Sequence, residues 1–558
     1  MFRKTNKTPQ LDLMVGVPSI LNEGSRKQYD DENHWHNQFH KQVYLRIDEV
    51  IFKVLFNETT GAPNSSISLL VGMMIIKEAF GWSDAQLFEH CRFNLLTRSA
   101  LGLINMNDDV PTESTYYLLR KRIYDYQKQG GSDLLAKNFE HITKGQIKEF
   151  EVNGHSIRMD SKLIGSNIAY FSRYQVIHQT LCRFYKTLNK SERKSISASF
   201  REQLEEIAKE EPLKIVYRST REEIKSRSQS LGILIFSLLK LFTNDTTEQY
   251  QLLQRVFDEQ YKITEEQQIQ LRPKEEISSS SIQSPNDPDS AYRQKGDQKV
   301  KGYSINITET ASDKPLNLIT NVIVGKANVQ DTSFVQAAIE ATVEVTGQNV
   351  EKVFADGAYQ SPVNDEYCEN IDMVYTGIQG GKPRYELEMT HYGLIATDTQ
   401  TGETIKATLV KKNKKSKEDR WKITTAQGNH YFSQLAIRAS QIRRTMKQRS
   451  IEELQKRNNV EATIFQLSLF LRNGKAKYRG LLKQQSWTLC RCLWINLVRI
   501  MNFLKQTCQR TFKTIEIAAL EPVSSTSQLI QIMIQPIGRR KVVLALSSSI
   551  ITNYYTLS

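Results

Sequence analysis

The tightest constraint on the fold is a repeated local shape, a short apolar run that ends on a bare aspartate. It occurs in "HSIRMDSKLIG" (155–165), which carries Asp160, and again in "EKVFADGAYQS" (351–361), which carries Asp356. Each run is too short for a helix and has strand composition, so each aspartate is expected where a strand opens into a turn. Taken alone, such a residue is a turn or capping aspartate. Between the two lie "KGYSINITET" (301–310) and "LNLITNVIVG" (316–325), which alternate like strands, and "DTSFVQAAIEATVEVTG" (331–347), a capped helix. The order is strand with Asp, strand, strand, helix, strand with Asp. Three successive strands can form a meander, and the helix can return the chain so that the fourth lies beside the first. Two carboxylates far apart in sequence would then meet.

The rest of the chain divides around this α/β core. Residues 1–38 are a polar extension, and 39–146 read as an all-helical domain. In that domain Gly81 stops one helix, Ser83 caps the next with Asp84 in its first turn, and Thr112 or Ser114 starts an amphipathic helix bearing Arg120, Lys121 and Arg122. His36 and His40 could share a helical face, but no Cys or carboxylate completes a tetrahedral metal set there. The first part of the core spans 147–379, with a charged helical insertion at about 170–300 that ends in "EEISSSSIQSPNDPDS", expected as an exposed connection. Residues 380–432 read as a small β-rich insertion, with "KKNKKSK" (411–417) as a solvated hairpin tip. The helical pattern resumes over 433–515, and 516–558 form a tail with little pattern.

Composition narrows the partners. The chain has 75 Lys plus Arg against 61 Asp plus Glu, a net charge of +14, which favours a polyanion and nucleic acid before an anionic membrane. From Ala462 to Ile515 there is no Asp or Glu, yet Arg472, Lys475, Lys477, Arg479, Lys483, Arg491, Arg499, Lys505, Arg510 and Lys513 all fall there. No apolar run is long enough to span a bilayer and no signal core opens the chain, so a cytoplasmic protein without membrane contact is expected. The six cysteines are scattered without CxxC spacing and read as reduced structural thiols.

Two strand-end carboxylates make half a site for a hard cation, because Mg²⁺ prefers oxygen ligands. A third would complete a two-metal site for phosphodiester chemistry. Glu461, in "RNNVEATIFQL", is the candidate, although with Arg457 one turn earlier it also fits a surface ion pair.

"SLLVGMMIIKEAFGWSDAQLFEHCRFNLLTRSALGL...DDVPTESTYYLLRKRI" resembles the helical, InsH-like N-terminal domain of bacterial insertion-sequence transposases. "RMDSKLIGSNIA", "FADGAYQSP" and "RNNVEATIFQL...KYRG" resemble the catalytic blocks of their DDE core, especially in the 1182 family of insertion sequences. The resemblance implies an RNase H-like mixed sheet with helices. Asp160, Asp356 and Glu461 would be the catalytic, metal-binding carboxylates, holding Mg²⁺ with Mn²⁺ as a substitute. Gly357 would give room for close approach, and Tyr359 would flank the site. Arg120, Lys121, Arg122, Arg457, Lys475, Lys477, Arg479 and Lys483 would contact DNA, the chain acting as a homodimer on transposon ends in the nucleoid. Related transposases often carry a tyrosine three residues before the Arg and a lysine seven after the Glu. Here those places hold Leu454 and Ser468, which leaves Lys475 or Lys477 to supply the missing cation. The absence of cysteines between Cys368 and Cys490 argues against a structural zinc in the insertion. The implied activity is metal-dependent cleavage at transposon ends and strand transfer into target DNA. A nuclease that cuts without joining and a DNA-binding factor without catalysis are the alternatives.

Overall fold

A computed structural model describes residues 1–520 apart from 8–9, 13, 379–381 and 411–418, with side chains described to residue 510. The lysine cluster at 411–417 and the tail beyond 520 lie outside the described residues, as does the side chain of Lys513.

A mixed sheet forms the centre. Its strands are β1 (Ser156–Gly165), β2 (Gln298–Thr310), β3 (Ile319–Lys326), β4 (Lys352–Ala355) and β5 (Asp372–Tyr375), in the order β3-β2-β1-β4-β5. β1, β2 and β3 are successively antiparallel, and β4 and β5 run parallel to β1. A further strand, Ala291–Lys295, forms a hairpin with the start of β2. The helix Val335–Thr346 makes the return connection between β3 and β4 that parallel pairing requires. The expected meander and return are thus present, with β5 and the edge hairpin added to them.

Strand alternation sorts the core into two faces. Ile157 and Met159 of β1 point to one face and pack with Val335, Ala338 and Ile339 of the return helix, Val335–Thr346. Ile164 of β1 and Tyr303, Ile305 and Ile307 of β2 point to the other. That second face is covered by Asn458–Ser468 and by the long helix Leu481–Leu520. In chain order, the helices that frame the sheet and the N-terminal core are α1 (Ile67–Phe80), α2 (Glu113–Lys128), α3 (Val335–Thr346), α4 (Asn458–Ser468) and α5 (Leu481–Leu520).

The N-terminal helices follow their capping residues. Ser66 caps α1, which ends on left-handed Gly81; Ser83 forms a capping box with Gln86, and Thr112 caps α2. α1 is buried on nearly every side because it lies between its own helical neighbours and α5. One apolar core therefore runs from α1 through Trp487 and Leu493 of α5 to the sheet.

The helical insertion between β1 and β2 has a separate core built from Tyr174, Phe184, Leu231, Ile235, Leu253 and Phe257. Its Ser-rich end is exposed at Glu275, Glu276, Ser278 and Ser279 as expected, but its second half departs from the expectation: Ser281, Ser284, Asp287 and Ser290 are buried. Asp287 explains this, since it accepts hydrogen bonds from Tyr303 Oη at 2.6 Å and from the Gly480 amide at 3.2 Å. Polar residues can be buried when each finds such partners. The 380–432 region forms two small three-stranded antiparallel sheets, over 385–406 and 408–433.

Candidate active site

Register brings the two aspartates together. β1 and β4 pair Ser156 with Lys352, Ile157 with Val353 and Arg158 with Phe354. Two residues further on, the same register faces Asp160 with Asp356, on the sheet face that α4 covers. Asp160 does not end its strand as expected. β1 continues to Gly165 because β2 pairs with it throughout, and only the β4 edge stops, at Ala355. The break in that one edge leaves Asp160 beside Asp356 where the β1–β4 ladder has ended.

Asp356 also performs the ordinary task of such a residue, accepting from the Ala358 amide at 3.2 Å and capping the turn Gly357–Tyr359. Gly357 is required by packing: a Cβ there would lie 2.1 Å from the Gly377 carbonyl oxygen. What approaches it is this chain's own backbone. Tyr359 is fully buried beneath the site and donates to Asn306 Oδ1 of β2 at 2.6 Å.

α4 supplies the remaining groups. Arg457 donates to Asp160 Oδ2 and to Glu461 Oε1, each at 2.9 Å. Asp160 and Arg457 are each 14% exposed, whereas Glu461 is 57% exposed. Burial raises the Asp160 carboxyl above its usual pKa and Asp356 adds to the rise, while Arg457 and the Ser161 amide oppose it. Burial disfavours the charge of Arg457, but Asp160, Asp356 and Glu461 together outweigh that cost and raise its pKa. All three carboxylates therefore bear on one guanidinium.

A buried ionic cluster fixes α4 against the sheet. Glu309 of β2 is fully buried and accepts from Arg158 of β1, from Thr463 Oγ1 of α4 at 2.7 Å and from Arg499 of α5 at 2.7 Å. Thr463 lies two residues from Glu461, so this cluster sets where the helix presents its glutamate. Leu454 packs on the cluster of Ala311, Phe354 and Val374.

The donor set around Asp160 and Asp356 is oxygen only, which suits a hard divalent cation. Two like charges forced together are a further reason for a cation to bind there. Among the described residues, however, no group of three or more His, Cys, Asp or Glu side chains lies close enough to hold a metal. Arg457 ion-pairs with both Asp160 and Glu461. His36 Nε2 donates to the Tyr29 carbonyl at 2.9 Å, the Nδ1 atoms of His36 and His34 are hydrogen-bonded to each other at 2.7 Å, and His40 stacks on Tyr44.

The basic residues divide by environment. Arg120 is ion-paired towards Asp84 and lies over the Tyr116 and Tyr478 rings, so its guanidinium is engaged inside the protein. Lys121 is exposed, and Arg122 stacks on Phe56. Lys475 donates to the Ile168 carbonyl, Lys477 to that of Trp82 and Arg479 to that of Asn167. Arg491 is buried against the Glu78, Ala79 and Gln466 carbonyls. Part of the one-sided charge after 462 thus satisfies helix ends and loops, while Arg472, Lys477, Arg479, Lys483, Lys505 and Arg510 are exposed. The residues that sequence reasoning missed are Glu309, Thr463 and Lys162; the placement of α4 against β2 makes the first two visible, and its approach to β1 the third.

Among the described residues no helix is long and apolar enough to cross a membrane. No curated protein and no solved structure matches the chain. Residues 26–122 match the family described as Transposase domain (DUF772), and this match supports placing the chain in a transposase family, whose members act on DNA.

Proposed function

We propose that this protein is a DDE-type DNA transposase of an insertion sequence, of the 1182 kind, with an RNase H-like core. The observation that carries the reading is the register that sets Asp160 beside Asp356, with Glu461 presented from α4 and tied to Asp160 through Arg457. The β3-β2-β1-β4-β5 order, with three antiparallel and two parallel strands, supports the fold assignment.

In this reading Asp160 and Asp356, with Glu461 from α4, would hold Mg²⁺ or Mn²⁺. When bound, the ions would supply charge neutralisation and activation of the attacking and leaving oxygens in phosphoryl transfer. Without them, converging carboxylates would repel a phosphodiester. The protein's own contribution is positioning, which governs such reactions because little covalent protein chemistry is required. The Glu309 cluster holds α4 in place, and Asp356 fixes the turn after β4. Hydrolysis at an element end frees a 3′-hydroxyl, and that hydroxyl becomes the attacking group on target DNA in the same site. Exposed Lys121, Arg472 and Lys483 hold flanking phosphates, and two copies pair the two ends.

The test is joining. Precut element ends are incubated with a supercoiled plasmid, Mg²⁺ and the intact protein or Asp160→Asn. Joined products with the intact chain alone support a transposase. Cutting of uncut ends without any joining would leave a nuclease in its place.

A further inference from the structure

Lys162 lies on β1 two positions beyond Asp160, so strand alternation places both on the same face of the sheet. Its ammonium reaches across to α4 and donates to Ser468 Oγ at 2.8 Å. Ser468 follows Glu461 by seven residues on α4, two helical turns, and therefore shares its side of the helix. Lys162, Asp160 and Glu461 thus border one cleft between β1 and α4.

The electrostatics of Lys162 differ from those of its neighbours. Arg457 is matched by Asp160 and Glu461, and Arg158 and Arg499 are matched by Glu309. Among the described residues no Asp or Glu pairs with Lys162. An ammonium has three donors, and one neutral hydroxyl uses a single one. Lys475 and Lys477, the expected sources of a cation near Ser468, are directed to the carbonyls of Ile168 and Trp82 instead. A half-buried cation without an internal counter-charge is costly to keep. It becomes favourable when an anion enters the cleft.

We propose that Lys162 is a phosphate-contacting cation of this site: it binds a DNA phosphate adjacent to the one processed at Asp160 and Asp356, and Ser468 aims its ammonium. This rests on the transposase reading for the identity of the anion. The basic group that relatives place on the helix would here come from the strand, reaching the same space from the opposite wall.

The experiment measures binding of the full chain to a duplex oligonucleotide of fixed sequence, in EDTA, as a function of salt. Lys162→Gln should bind more weakly, with the slope of log K against log salt reduced by about 0.9, the value of one phosphate contact. Lys162→Arg should retain the slope. The exchange variant Lys162→Ser/Ser468→Lys should also retain it, because the ammonium then enters the cleft from α4. Unchanged affinity and slope in a folded Lys162→Gln would overturn the proposal. Should Lys162→Gln fail to fold, the exchange variant decides: a slope equal to that of the intact chain supports the proposal, and one lower by a full contact overturns it. Because binding is read without metal, a slope effect in a chain that neither cuts nor joins DNA would keep Lys162 as a phosphate contact and remove the transposase reading.

Discussion

Glu309→Gln is the most informative perturbation of the framework behind the site. The side chain is fully buried, and its two oxygens serve Arg158, Arg499 and Thr463 on three different elements. Glutamine keeps the shape but removes the negative charge, leaving two largely buried guanidinium groups facing each other with no counter-charge. Removing one partner of a buried ion pair costs about 3–5 kcal/mol. With about 2–4 °C of melting temperature per kcal/mol for units of this size, the variant should melt about 5 °C or more below the intact protein. Burial alone would raise the Glu309 carboxyl, but Arg499 and Arg158 more than offset it and hold its pKa below the usual value. The sign follows: its stabilising contribution is fully present above the ordinary glutamate pKa of about 4.3 and is lost as pH falls through the lower folded-state value. Thermal unfolding by circular dichroism should therefore show a constant gap between the two proteins from neutral pH down to about 5 and a narrowing gap in stronger acid. A gap below about 2 °C at neutral pH would refute the claim that this cluster fixes α4 on the sheet.

Other consequences follow from single contacts. Gly357→Ala forces its Cβ against the Gly377 carbonyl, so it should lower stability by about 1–3 kcal/mol in denaturant titration and reduce DNA cleavage by displacing Asp356. Tyr359→Phe leaves Asn306 Oδ1 without its buried donor and should cost about 1–3 kcal/mol, read by the same titration, with the fold retained. Burial holds the thiols of Cys91 and Cys492 up at about 12 and that of Cys368 at about 11, so under native conditions iodoacetamide should modify exposed Cys508 well before them, as read by peptide mass spectrometry.

The central strands and helix caps could be read from the sequence because they rest on local rules. Alternation marked β2 and β3, and Ser83 and the Thr112/Ser114 pair marked helix starts, Thr112 proving to be the cap of α2. The meeting of Asp160 and Asp356 could be anticipated because a meander followed by a helical return leaves few arrangements. What could not be read depends on contacts between distant segments. β1 runs past Asp160 because β2 accompanies it to Gly165. The second half of the Ser-rich stretch is buried because Tyr303 and Gly480 meet Asp287. The acid-free stretch after 462 looked like one DNA-binding surface, yet Arg491 and Arg499 are consumed by internal acceptors. Lys162 carried no signal at all in the sequence, since only the approach of α4 to β1 gives it Ser468 as a partner.

The most direct test of the central claim is cleavage of element-end DNA with Mg²⁺ or Mn²⁺, comparing the intact protein with Asp160→Asn, Asp356→Asn and Glu461→Gln at matched DNA binding. The account predicts metal-dependent cutting by the intact chain and its loss in all three variants. Cutting that survives in Asp356→Asn, or DNA binding by the intact protein with no cutting under either metal, would contradict a catalytic site built on these carboxylates.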